Sequence, residues 1–157
     1  MKWINHQIVT GFVVAAATDD ALLTASAIVG SVIPDRVEGS PPRDSSAYWK
    51  WRSRHRTWSH YPLIYLALIG AAHFAKDYFP DATLALNLAT GALVGALLHI
   101  AEDALCGKVP VFTPHRKHGL KLFKVGSWRE YFVAALIIAA CLFARFGNVD
   151  LLRSYFP

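Results

Sequence analysis

Four apolar stretches, over residues 8–33, 58–79, 82–105 and 131–146, take up more than half of this 157-residue chain and constrain its fold more than anything else. A membrane-crossing helix needs about 20 mostly apolar residues. The second and third stretches meet that length, and the fourth comes close. Phe79-Pro80-Asp81 is a compact turn between the second and third, which therefore form a helical hairpin. The first stretch is interrupted by Asp19-Asp20. As one helix it would rise about 40 Å and hold two adjacent aspartates in mid-bilayer, which is costly. A turn at Thr18-Asp19-Asp20 between two short arms avoids that cost. The expected fold is all-α: an integral membrane helical bundle of about five helices, the first two a short hairpin, in one domain over residues 1–157. A secretory signal peptide is the competing reading of the start, weakened because a second apolar segment follows directly.

Composition agrees with a membrane class. Hydrophobic residues make up 54% and charged residues 17% of the chain, with a mean hydropathy of +0.31, which excludes disorder. Sixteen Lys and Arg against 11 Asp and Glu leave a net charge of +5. Twelve of those 16 lie in residues 34–57 and 107–129, two loops that five helices place on one side. By the positive-inside rule that side, with the N-terminus, is cytoplasmic and the C-terminus lies opposite. The charge is thereby explained without nucleic acid, and direct nucleic-acid binding is not expected. Residues 36–56, with Pro41-Pro42 and Ser45-Ser46, are expected to be non-helical. Cys106 and Cys141 are too few for a disulfide framework or a thiolate zinc site, so any metal must rest on His and carboxylates.

The groups suited to holding one converge on the cytoplasmic ends of the helices. His6 opens the first helix, Asp35 follows Pro34 at the return of the first hairpin, and His55 and His60 precede the next span. His99 and Asp103, four apart, share a helix face near the inner end of the third long stretch. Each alone has an ordinary reading as a capping or hydrogen-bonded group. Together they are six ionisable groups at the edge of an apolar chain, where such residues mark function by default. His55 and His60 share a site only if a helix starts between them, with Ser59 as N-cap and Pro62 in its first turn. Arg56 suits a phosphate grip but also reads as one more inside-facing charge. Glu102, one position off the His99–Asp103 face, reads as a base or, preferred here, as a snorkelling carboxylate. His73 reads as a packed core histidine, and His115 and His118 as headgroup contacts. Thr90-Gly91 and Gly95 mark close helix packing.

These residues carry a family resemblance, in order along most of the chain. His6 with Gly11, Ile33-Pro34-Asp35, His55-Arg56-x-x-Ser59-His60 and His99-x-x-x-Asp103 resemble successive motifs of the YdjM-type family. Val109-Pro110-Val111-Phe112-Thr113-Pro114 and Gly126-Ser127-x-x-Glu130 resemble its later features. Val37, with Glu38 beside it, stands where the family often has a second Asp. The family is described as LexA-binding, inner-membrane-associated and assigned to metal-dependent hydrolysis.

The resemblance implies a multi-pass protein of the bacterial inner membrane and a LexA-like cytoplasmic partner, which no residue here locates. Together with the cluster it implies a metal held by His6, Asp35, His55, His60, His99 and Asp103, with His6 and Asp35 as further ligands or supporting partners. Such an oxygen- and nitrogen-donor set suits a divalent ion, zinc first, with manganese or iron as alternatives. The expected chemistry is hydrolysis by metal-activated water, with Arg56 steadying an anionic substrate and Glu38 or Glu130 as base. Basic loops at the bilayer edge favour membrane lipids as partners and a phosphoester of a lipid or lipid-linked substrate. A non-catalytic adaptor with a structural metal is the alternative.

Overall fold

The structure, a computed structural model, describes residues 1–147. Its order is α1 (Trp3–Thr18), α2 (Ala21–Gly30), α3 (Ile33–Glu38), α4 (Ser45–Arg54), α5 (Pro62–Tyr78), α6 (Thr83–Cys106), β1 (Val109–Thr113), β2 (Arg116–His118) and α7 (Trp128–Phe146). The C-terminal end, expected on the far side, falls outside the described residues.

The expected first hairpin is present, and its two aspartates build the turn. Asp19 takes the left-handed conformation (φ 55°) that ends α1, and the Asp20 side chain accepts from the Leu23 backbone N–H at 2.9 Å to cap α2. The Asp19 carboxylate also pairs with Arg145 near the end of α7. Pro80 to Ala82 form the 3₁₀ turn between α5 and α6.

Two expectations are corrected. The fold is mostly helical but not all-α, because residues after α6 form an antiparallel pair, with Val109 opposite His118 and Pro110 opposite Lys117. Val109-Pro110-Val111-Phe112 is β-prone, and a two-stranded ribbon leaves Pro110 no missing donor to account for. Residues 36–56 are also largely helical. Asp44 accepts from the Ala47 N–H at 2.8 Å and starts α4, a capping signal directly ahead of Ser45-Ser46. No residue of α4 is buried, so α4 lies outside the five-helix bundle of α1, α2, α5, α6 and α7, whereas the short α3, with Pro34 buried, packs on α6.

Helix α6 is the axis of that bundle, touching α1, α2 and α5, while α7 lies against α1. Its contact with α2 is backbone-close. A Cβ on Gly30 would come within 1.9 Å of the Ala92 carbonyl oxygen, and one on Gly95 within 2.0 Å of that of Ala27. The apolar core is small, centred on Tyr65, Ala96, Ile100 and Val109. Much of what is fully buried is polar: His6, Thr10, Ser31, His60, His99, Asp103 and Glu130. Large apolar side chains such as Leu22, Val29, Leu66, Phe74, Leu84, Phe132 and Phe143 face outward. Among the described residues, one helix, Pro80–Cys106, is long and apolar enough to cross a membrane.

Candidate metal centre

Four donors from three parts of the fold meet at one end of the bundle. Asp35 comes from α3, His60 from the 3₁₀ turn ahead of α5, and His99 and Asp103 from the last two turns of α6. Their ligand atoms all lie within 4.8 Å of one another. His60 Nε2 is 3.3 Å from His99 Nε2, 3.4 Å from Asp35 Oδ1 and 3.5 Å from Asp103 Oδ2. His99 Nε2 is 3.6 Å from Asp35 Oδ1 and 3.5 Å from Asp103 Oδ2. Both histidines and Asp103 are fully buried, while the Asp35 side chain keeps 20% exposure.

Each imidazole is aimed by its other nitrogen. His99 Nδ1–H donates to the Ser31 carbonyl at 2.6 Å, and His60 Nδ1–H donates to Glu38 Oε1 at 3.1 Å. Both Nε2 atoms therefore face the cluster, where loss of their protons would leave them free to ligate, the arrangement that metal-ligating histidines take. Asp35 Oδ2 accepts from the Trp3 indole N–H at 2.7 Å, which ties α3 to the start of α1.

The electrostatics favour a cation between these groups. Burial pushes the Asp35 carboxyl up, but hydrogen bonds from His60, His99 and Trp3 outweigh it and leave it well below the usual carboxylate range. Burial likewise raises Glu38, and its bonds to His55, His60 and Ser59 reverse the sign. For His60, burial lowers the pKa, yet Asp103, Asp35 and Glu38 together push it up to about 10. Two of the three, Asp103 and Asp35, are the carboxylates a divalent ion would meet.

The remaining expected site residues surround the cluster. His6 stacks on His99 with ring centroids 4.0 Å apart, and its Nε2 lies 3.4 Å from Asp103 Oδ1, buried and without a hydrogen-bond partner. His55 stands outside the four-donor group: its Nδ1 bonds Glu38 and its ring stacks on Trp51 at 4.6 Å. No helix starts between His55 and His60; the 3₁₀ turn Trp58–His60 brings their rings to 5.9 Å, and Tyr61 rather than Ser59 precedes α5. The Ser59 hydroxyl donates instead to Glu38. Glu38 also accepts from the Arg56 N–H at 2.7 Å, so both its oxygens are committed to holding this turn. Glu130 lies away from the cluster, accepting from the backbone N–H groups of Lys2 and Gly126 and from the Asn5 amide, and so joins the start of α1 to α7.

Arg56 reaches Asp103 Oδ2 with one guanidinium nitrogen at 2.6 Å. Its backbone is left-handed (φ 56°), and its side chain lies over Gly107, where a Cβ would come within 2.3 Å of it. Glu102 is the residue that sequence reasoning passed over. It is buried, not snorkelling, and it accepts from His6 Nδ1 and from the Thr10 hydroxyl at 3.3 Å. Its signal was its place one turn before Cys106 beside Asp103, on the side of α6 that His6 approaches.

Two clefts adjoin the cluster. One, of about 460 Å³, lies over Glu38, Trp51, His55 and Ser59; the other, of about 510 Å³, is lined by Arg52, His55, Arg56, Gly107, Lys108 and Lys117.

No curated protein and no solved structure matches the chain. A family model does, over residues 1–154, and that span holds the donor cluster together with the helices and turn that assemble it. The chain belongs to the family described as YdjM inner membrane protein.

Proposed function

We propose that this protein is a membrane-embedded, zinc-dependent hydrolase whose site, at the cytoplasmic face, cleaves a phosphoester of a lipid or lipid-linked substrate. The donor spacing carries the reading. Ligand bonds of about 2.0–2.2 Å put the edges of a tetrahedron at about 3.3–3.6 Å, the range of the five donor separations around His60 and His99. An octahedral magnesium site, at about 2.0–2.1 Å, needs edges near 2.8–3.0 Å. Asp35, His60, His99 and Asp103 would hold the ion. Bound there with a coordination position open to water, the ion would supply Lewis acidity, lowering the pKa of that water and polarising the oxygen under attack.

The chain's own groups do the rest. Glu38 and the Ser31 carbonyl keep His60 and His99 in the tautomer that presents Nε2. Arg56, already on Asp103, sets a fixed positive charge where negative charge grows on the substrate. Glu38 and Glu130 have their oxygens occupied by hydrogen bonds that hold the fold, which sets both in supporting roles rather than as the base. The outward Leu, Val and Phe side chains around a polar interior support a multi-pass setting, since that distribution suits lipid as the surroundings.

One observation favours a second reading. Four protein donors, five of whose separations match tetrahedral edges, are enough to close a shell as in structural zinc sites, which fits a non-catalytic adaptor. Elemental analysis of detergent-purified protein, beside a His99→Ala, Asp103→Ala double variant, tests the site first. One equivalent of zinc in the parent, lost in the variant, is expected; its absence after reconstitution sinks both readings. Turnover of a chromogenic phosphodiester by the loaded parent then selects the hydrolase, and metal without turnover of any ester selects the adaptor.

A further inference from the structure

A basic cleft lies beside the cluster. It is built by close backbone approach: a Cβ on Gly119 would sit 1.7 Å from the Gly107 carbonyl oxygen, so β2 is drawn onto the end of α6. The Leu120 and Leu122 N–H groups then bond the Ala104 and Leu105 carbonyls at 2.8 and 2.7 Å, closing that helix end. Lys117 then lines one cleft with Arg52, Arg56 and Lys108. Lys117 donates to the His55 carbonyl at 2.6 Å. Among the described residues no carboxylate lines the cleft. Among the described residues neither Arg52 nor Lys108 makes an ion pair, and the buried Arg56 Nε–H has no acceptor. Asp103 offsets Arg56, but Arg52, Lys108 and Lys117 add three cations to the same cleft; like charges this close repel one another, and an anion relieves that repulsion while accepting the unused donors.

We propose that this cleft binds a phosphate group, held by Arg52, Arg56, Lys108 and Lys117, at the edge of the donor cluster. It deepens the hydrolase reading and rests on it only for the fate of the bound group. Arg56 is the link, since the guanidinium that lines the cleft also contacts Asp103. A substrate with its phosphate here has its ester oxygen directed toward the cluster. The same phosphate chemistry belongs to a lipid headgroup and to a soluble phosphate. Val125 at the cleft and Leu120 and Leu122 beside it are exposed, as a membrane-facing rim would be.

The test is calorimetric titration of inorganic phosphate into the detergent-purified full chain, with metal content read on the same samples. Arg52→Gln with Lys108→Gln removes two exposed cleft cations. Arg116→Gln with Lys121→Gln removes the same charge from the neighbouring loop outside the cleft. Phosphate binding about tenfold or more weaker in the first pair, and within about twofold of the parent in the second, is the expected result. Lys108→Gln alone, at an exposed side chain, serves if the double variant does not fold, with a smaller loss in the same direction. No phosphate binding by the parent, or equal weakening by both pairs, overturns the proposal. Phosphatidic acid added to the micelles displaces phosphate if the site takes a lipid headgroup, and leaves it bound if the ligand is soluble. Zinc present without cleft-dependent phosphate binding overturns the cleft and leaves the hydrolase; the reverse result overturns the hydrolase and leaves the cleft.

Discussion

At the residue scale, the site depends on the groups behind the ligands as much as on the ligands. Glu38 gathers His55, His60, the Arg56 N–H and the Ser59 hydroxyl on one carboxylate. Glu38→Gln keeps the shape but turns one acceptor oxygen into a donor facing other donors. Loss of such a supporting partner costs about 10–100-fold in metal affinity. A chelator-competition titration should therefore show weakened but measurable zinc binding in Glu38→Gln, against no stoichiometric binding in His99→Ala. Equal loss in both would make Glu38 a ligand, and no change would remove it from the site. Glu102→Gln, acting through His6, is expected to fall on the weak side of Glu38→Gln, because His6 reaches only the outer oxygen of Asp103.

At the level of elements, the α2–α6 contact places the centre. Gly30 and Gly95 let the two backbones touch, and the residue after Gly30, Ser31, supplies the carbonyl that orients His99. A methyl group there has nowhere to go, since its neighbours are backbone atoms. Gly95→Ala should destabilise the fold by about 1–3 kcal/mol, as overpacking does, and should also weaken metal binding by shifting Ser31. Thermal unfolding in detergent reads the first effect and zinc titration the second. Stability lost with metal affinity intact would show that the carbonyl does not depend on the helix spacing. Thr90-Gly91 and Gly95 were legible in the sequence as a packing face because small residues repeat at helical spacing. Helix α4 and the β-hairpin were not, since their signals, one capping aspartate and a five-residue β-prone run, are short and sit among prolines and charges.

For the whole molecule, the two ends are separated by the thickness of a bilayer. Asp19 pairs with Arg145 at the end of the 19-residue α7, which is about 29 Å long at about 1.5 Å per residue, close to a hydrocarbon core of about 30 Å. Met1, Lys2 and Trp3 meet Asp103, Glu130 and Asp35 at the other end. The first hairpin should therefore cross the membrane despite its short second arm. With a membrane-impermeant thiol reagent, Ser45→Cys should label from the cytoplasm and Asp20→Cys from the opposite side, in a background with Cys106 and Cys141 replaced. Labelling of both from the cytoplasm would make the hairpin re-entrant.

The sequence by itself determined the helical hairpins, the polar end of the bundle and the residue types available there. Apolar run length, proline and aspartate turns and charge counts are local quantities, and helix periodicity alone pairs His99 with Asp103. Only the tertiary structure decided which candidates meet. Asp35 and His60 reach His99 and Asp103 because α3 and a 3₁₀ turn fold back over the end of α6. His55 turns to Glu38, Glu130 to the start of α1, and Glu102 inward to His6. A side chain's partner across the bundle depends on helix spacing and on single backbone turns such as that at Arg56, and neither is written in any local stretch of residues.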